Sequence, residues 1–108
     1  MNLEQFRDIL LTIIPNVHHY NAKNENNNYI VWAEDGESSS LYADNIKIAQ
    51  TIQGTLDYYT KTEFDPIVKV IQDTLSKQEI PWTLNSIQDE DDTGYTHYEW
   101  IWEVDDIG

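Results

Sequence analysis

The stretch Ile46-Lys47-Ile48-Ala49-Gln50-Thr51-Ile52-Gln53-Gly54-Thr55-Leu56-Asp57-Tyr58 alternates without a break. Ile46, Ile48, Gln50, Ile52, Gly54, Leu56 and Tyr58 fall on one side; Lys47, Ala49, Thr51, Gln53, Thr55, Asp57 and Tyr59 fall on the other. Successive strand side chains point to opposite faces, so the pattern predicts one long strand with a core face and a wet face. At ~3.3 Å per residue it spans roughly 40 Å, long for a small domain. Such a strand must project, curve or pair with another copy. Tyr58-Tyr59 puts one ring on each face, and Tyr59, on the wetter side, either packs under a helix or meets a partner.

The flanks complete an alternation of helices and strands. Asn2 to Ile14 reads as an amphipathic helix with Leu3, Phe6, Ile9, Leu10 and Ile13 on one stripe. Asn2 with Gln5 suggests a capping box, and Pro15 ends the helix. Val17 to Tyr20 is a short candidate strand, 21–28 an Asn-rich polar loop, and Tyr29 to Ala33 a central strand by composition. Glu34 to Ser40 reads as a loop, and Leu41 to Asn45 either extends the long strand or precedes it. After it, Asp65 as N-cap and Pro66 at the first helical position open a helix to about Gln78, with Ile67, Val70, Ile71 and Leu75 as its buried stripe.

The last third reads as a hairpin. Trp82 to Gln88 is one strand, Asp89-Glu90-Asp91-Asp92-Thr93-Gly94 the turn, and Tyr95 to Val104 the other strand. Thr96, Tyr98, Trp100, Trp102 and Val104 share the face expected under the helices. Tyr95, His97, Glu99, Ile101 and Glu103 share the opposite face, where Ile101 and Tyr95 are the suggestive apolar positions. Asp105 to Gly108 is a polar end expected to fray. The fold class expected is α+β, one domain over 1–108, with a mostly antiparallel sheet of four to five strands, two flanking helices and the order α-β-β-β-α-β-β.

Composition narrows function by exclusion. The 108 residues carry 20 Asp and Glu against 6 Lys and Arg, a formal net charge of −14. That balance argues against a phosphate-backbone binder and against docking on an anionic membrane. It leaves a solubilising surface, or one that passes close to nucleic acid without sticking, or one that imitates it. No Cys is present, which removes disulfides, thiolate metal sites and a thiol nucleophile. No run approaches the ~18 apolar residues of a membrane span, and the start lacks the basic-then-apolar pattern of a secretory signal.

The chemistry-bearing patterns are weak. Asp89, Asp91, Thr93 and Gly94 fit positions 1, 3, 5 and 6 of a calcium loop, but position 12 is Trp100 where a bidentate Glu is needed. A solvated hairpin tip whose charges resist edge pairing explains the same residues. His18 and His19 are adjacent, so on a strand they face opposite ways and do not share a metal. His97 stands alone in the sequence. There is no Gly-rich phosphate loop, no Gly-x-Ser-x-Gly and no His-Glu-x-x-His. No catalytic residue, cofactor site or metal site is assigned. Candidate interface residues are Tyr59, Asp89, Glu90, Asp91, Asp92, Tyr95 and Ile101.

The segment order resembles a family. The resemblance rests on the N-terminal helix, Tyr29-Ile30-Val31-Trp32, Ala43-Asp44-Asn45 leading into the long strand, Tyr58-Tyr59-Thr60-Lys61, Asp65-Pro66 opening a helix, and the closing Tyr95-x-x-Tyr98-Glu99. These are similar to the small tail-assembly proteins of siphophages and prophages of Gram-positive bacteria, in particular the tail terminator, tail completion or head–tail joining group. The resemblance covers nearly the whole chain through short structural motifs. It implies a non-enzymatic virion protein, made in the host bacterial cytoplasm, whose self-associated ring, six-fold in most of the family, caps the tail tube. Its implied partners are the tube protein and the neck or connector proteins, with DNA passing nearby unbound and no membrane involved. The alternative from a different class is an acidic DNA-mimic inhibitor of a nucleic-acid enzyme, for which the acids at 34–37, 89–92 and 103–106 are bunched rather than evenly spaced.

Overall fold

A computed structural model describes residues 1–23, 25–43 and 46–106, without the side chains of 39–43, 46–48 and 106. Asp44 and Asn45, part of the resemblance, and Ile107–Gly108, part of the end expected to fray, lie outside the described residues. The elements are α1 (Leu3–Leu11), β1 (Val17–His19), β2 (Tyr29–Ala43), β3 (Ile46–Thr60), α2 (Ile67–Lys77), β4 (Trp82–Glu90) and β5 (Tyr95–Asp106). Their order is the α-β-β-β-α-β-β order read from the sequence.

The five strands form one sheet in the order β1-β2-β3-β5-β4. The sheet is mixed, which corrects the mostly antiparallel expectation. Pairs β2–β3, β3–β5 and β4–β5 are antiparallel, but β1 runs parallel to β2 with Val17 opposite Ile30 and His19 opposite Trp32. Parallel pairing requires a crossover rather than a tight turn. The segment between His19 and Tyr29 supplies it. The Tyr95 hydroxyl donates to the carbonyls of Glu25 and Asn27, at 3.2 and 3.0 Å, which ties this crossover to β5.

Asn2 caps α1 as its sequence suggests. The Asn2 side chain accepts the Gln5 N–H at 2.8 Å, and the Gln5 side chain accepts the Asn2 N–H at 2.9 Å. The helix stops at Leu11, short of the expected Ile14. Thr12 and Ile13 close the end with N–H bonds three residues back, to Ile9 and Leu10. At the other helix, Pro66 already has helical angles (φ −65°, ψ −17°), and the Asp65 carboxylate accepts the Ile67 N–H at 2.9 Å. Asp65 therefore performs the capping role that its position suggests.

Both helices cover one face of the sheet. Phe6 and Leu10 from α1, and Ile71 and Leu75 from α2, pack on Ile30, Trp32, Leu56, Tyr58, Trp100, Trp102 and Val104. The Phe6 ring centroid lies 4.2 Å from that of Trp102, and the Trp100 indole N–H donates to Gln72 of α2 at 3.1 Å. The Trp100, Trp102 and Val104 row is thus the covered stripe expected of it. Val70, expected in the α2 stripe, is exposed, and Val68 packs against the core in its place.

The residues expected as a loop, Glu34 to Ser40, are strand. β2 continues to Ala43 and pairs with β3 to the end of that strand, with three register shifts, at Glu34/Gly36, Glu37/Ser39 and Leu41/Tyr42. Ser, Asp and Gly are poor strand formers. Here the long β3 supplies an edge needing a hydrogen-bond partner, and the bulges absorb the misfit. Two 15-residue strands stretch the molecule to 53 × 25 × 21 Å.

Candidate functional site

The sheet face opposite the helices carries most of the sequence-predicted interface residues. At one end of it, Tyr29 (β2), Tyr59 (β3) and His97 (β5) stack in a row. Ring centroids are 4.5 Å apart for Tyr29–Tyr59 and 4.2 Å for Tyr59–His97, with near-parallel planes. Tyr95 meets Tyr29 and Tyr59 edge-on at 5.5 and 6.2 Å. The row follows from cross-strand register, since Tyr29 lies opposite Tyr59 and Tyr59 opposite His97. Lys61 places its ammonium 4.8 Å from the Tyr95 ring centroid.

His97, alone in sequence, is paired in space. Its Nε2 lies 2.6 Å from Asp57 Oδ1, and its Nδ1 lies 3.8 Å from Glu90 Oε2. The hydrogen bond to Asp57 raises the His97 pKa; burial opposes it, and the charges of Asp57, Glu90 and Glu99 add to the rise. Both ring nitrogens therefore face carboxylates, and the imidazole links β5 to β3 and β4. Burial first, then the nearby carboxylates and Tyr29, holds the Tyr59 phenol above its ordinary pKa and keeps it neutral.

Other sequence-predicted residues lie as follows. Tyr95 is only 6% exposed, closed over by the crossover that accepts its hydroxyl, so it offers little surface to a partner. Ile101 is 38% exposed on the open part of the same face, between Thr55 and Thr83 of the neighbouring strands. Asp89 and Glu90 end β4, while Asp91 and Asp92 begin the turn. That turn is tight: the N–H groups of Thr93 and Gly94 both donate to the Glu90 carbonyl. Trp100, at the would-be closing position of a calcium loop, is fully buried. Among the described residues no group of three His, Cys, Asp or Glu could hold a metal ion.

His18 and His19 do face opposite ways. His18 contacts Glu25 of the crossover at 2.6 Å, while His19 stacks on Trp32 at 4.0 Å and contacts Glu34 at 2.7 Å. The Tyr20 hydroxyl also donates to Glu34 at 2.7 Å. Burial would raise the Glu34 pKa, but these bonds outweigh it and lower it.

Sequence reasoning missed two features. Asp65 is more than a cap: its Oδ2 accepts hydroxyl bonds from Tyr58 at 2.6 Å and Thr60 at 2.7 Å. Asn28 donates to the Tyr58 oxygen at 2.8 Å, so the crossover, β3 and α2 meet at one network. Burial, then the bond to Asp65, pushes the Tyr58 pKa up to about 12. The second is Phe64, which is 91% exposed and holds a positive φ of 53°. No pattern in the sequence marks its exposure, since a hydrophobic residue just before a helix cap more often packs back on the helix.

No protein-family model matches the chain, and comparison with curated proteins returns no match. Among the described residues no helix is long and apolar enough to cross a membrane.

Proposed function

We propose that the chain is a non-enzymatic virion assembly protein of the tail-terminator or head–tail joining kind. In this reading copies associate head to tail into a ring, close the tail tube and contact the neck. The observation that carries it is the β2–β3 pair. Its two 15-residue strands continue past Gln50, the last β3 residue that β5 reaches among the described residues, and there pair with each other as far as Ala43 and Ile46. A strand pair that extends past its neighbours in the sheet is suited to reaching a second copy.

Two further features support the reading. The helices lie on one side only, leaving the Ile101 face open for contact. The charge of −14 would keep the walls of a ring from binding the phosphates of passing DNA. The carboxylates of Glu25, Glu34, Asp57, Asp65 and Glu90 are engaged with His, Tyr, Thr or backbone partners. They serve the fold, which lowers the rank of the DNA-mimic alternative. Mixing purified chain with polymerising tail tube protein tests the proposal. Tubes of limited length with the chain at one end support it; unaltered tubes and free monomer sink it.

A further inference from the structure

We infer that the outer edge of β4 pairs, antiparallel, with the same edge of a second copy, in the register that sets Leu84 of each chain opposite Ile87 of the other. An isologous contact of this kind closes at two copies. It is therefore separate from the head-to-tail contacts of a ring and does not rest on that reading.

The edge is long and open. β4 ends the sheet, with β5 on one side and no strand on the other among the described residues. The opposite edge strand, β1, has three residues, whereas β4 has nine. An open edge presents a row of N–H and C=O groups that templates another strand, and proteins guard such edges with Lys, Pro or other charges. Residues 82–88, Trp-Thr-Leu-Asn-Ser-Ile-Gln, hold none of these. Leu84 is 36% exposed and Ile87 58%.

The edge does carry a bulge, and the bulge selects the partner. Leu84 lies opposite Trp100 and Ile87 opposite Tyr98, with the register shifting between Leu84 and Ser86. Trp100 and Tyr98 share the helix-covered face, so Leu84 and Ile87 share it too, although they are three residues apart. The Asn85 amide within the bulge donates to Glu99 at 2.7 Å. In a regular strand, residues three apart point to opposite faces, so such a strand cannot meet both Leu84 and Ile87 on that side. A second copy carries the same bulge. Paired about the midpoint of Asn85 and Ser86, it brings 84 to 87, 83 to 88 and 85 to 86, and each exposed aliphatic side chain meets the other.

Charge fits this register. Asp89 and Glu90 are the only charged residues of β4. Antiparallel pairing about that midpoint sets Asp89 beside Trp82 of the other chain and Glu90 beside Pro81. The two Asp89 positions then stand about 23 Å apart along the strands. That exceeds the Debye length of ~8 Å at physiological salt. Parallel pairing would stack them.

The chain has no Cys, so disulfides can report the register. Thr83 and Gln88 are exposed and lie on the face away from the helices, opposite Ile101 and His97. Thr83→Cys and Gln88→Cys chains, one of them carrying a mass tag, are mixed at high concentration and oxidised. The expected product joins position 83 of one chain to position 88 of the other. Like positions lie about 17 Å apart, out of disulfide reach. Adding Ile87→Lys to both chains should cut the yield by about tenfold, through lost apolar burial and added edge charge. It should leave the urea midpoint near its parent value, because Ile87 is exposed in the single subunit. Bonds between like positions, a yield unchanged by Ile87→Lys, or no product from folded chains overturns the inference. Amide exchange of residues 82–88 separates the occupants. Protection that rises with the concentration of the chain alone is expected; protection that appears only on adding tail tube protein assigns the edge to that partner and overturns the inference.

Discussion

Gly54 of β3 lies directly opposite Trp102 of β5, and the Trp102 ring occupies the space where a side chain at 54 would begin. A Cβ built at 54 would stand 2.6 Å from Trp102 Cζ2 and 2.0 Å from the Ala33 carbonyl oxygen. The glycine interrupts the core-facing row of β3, between Ile52 and Leu56, to admit the indole, on which Phe6 of α1 then packs. Gly54→Ala is expected to destabilise the fold by about 2–3 kcal/mol, the upper range for overpacking, because backbone as well as ring must move. Urea denaturation of the two chains checks this, and a difference near zero would show that the strands can part at no cost.

The Asp57–His97 pair sets a pH dependence. The His97 pKa is raised above its ordinary 6.5, first by the bond to Asp57. The folded state therefore binds the proton more tightly than the unfolded state. The resulting stability is fully present below about pH 6.5 and is lost as pH rises through the higher folded value. Stability should fall from pH 6 toward pH 8, and His97→Gln should flatten that slope. Denaturation midpoints at three pH values are sufficient.

The Tyr58–Asp65 network sets the opposite dependence at the acid end. Burial would raise the Asp65 pKa, but bonds from Tyr58, the Ile67 N–H and Thr60 together lower it below its ordinary 3.8. Its contribution is present above about pH 4 and is lost as pH falls through the lower folded value. Tyr58→Phe removes the donor to Asp65 and the acceptor of Asn28. The expected cost is about 1.5–3 kcal/mol, typical of a hydrogen bond to a charged group. Acid unfolding of this variant should begin at a higher pH than that of the parent chain.

Phe64→Gly should behave in the reverse sense to an ordinary core change. Relief of the left-handed strain, roughly 1–2 kcal/mol, is partly offset by the larger unfolded-state entropy of glycine, roughly 0.5–1 kcal/mol. A net gain of about 0.5–1 kcal/mol in monomer stability is expected from these two opposing terms. Calorimetry on dilute protein measures it. A clear loss would mean that the ring packs within the subunit.

Legibility in the sequence followed the range of the interactions. The capping box at Asn2 and Gln5, the alternation of β3 and the Asp65-Pro66 helix start are local, and each reads directly from neighbouring residues. Trp100, Trp102 and Val104 were readable as a covered row because period two fixes a face. The parallel β1–β2 pairing was not readable, since nothing in Val17–His19 encodes the direction of its partner. The strand character of Glu34 to Ser40 was hidden for a related reason: its own propensities favour a loop, and the pairing edge that overrides them lies in β3. The Asp57–His97 contact joins residues 40 apart and depends on β3–β5 register. Phe64 carries no pattern at all, because its exposure is set by where Asp65 caps α2.

Self-association is the claim on which the functional account turns. Each copy brings −14 charges, so repulsion must be screened before copies can meet. Light scattering coupled to size exclusion, run at rising salt and protein concentration, tests this most directly. The account predicts a discrete multiple of the 12.7 kDa chain that grows with salt and protein concentration. A 12.7 kDa particle under every condition, unchanged by added tail tube protein, would contradict it.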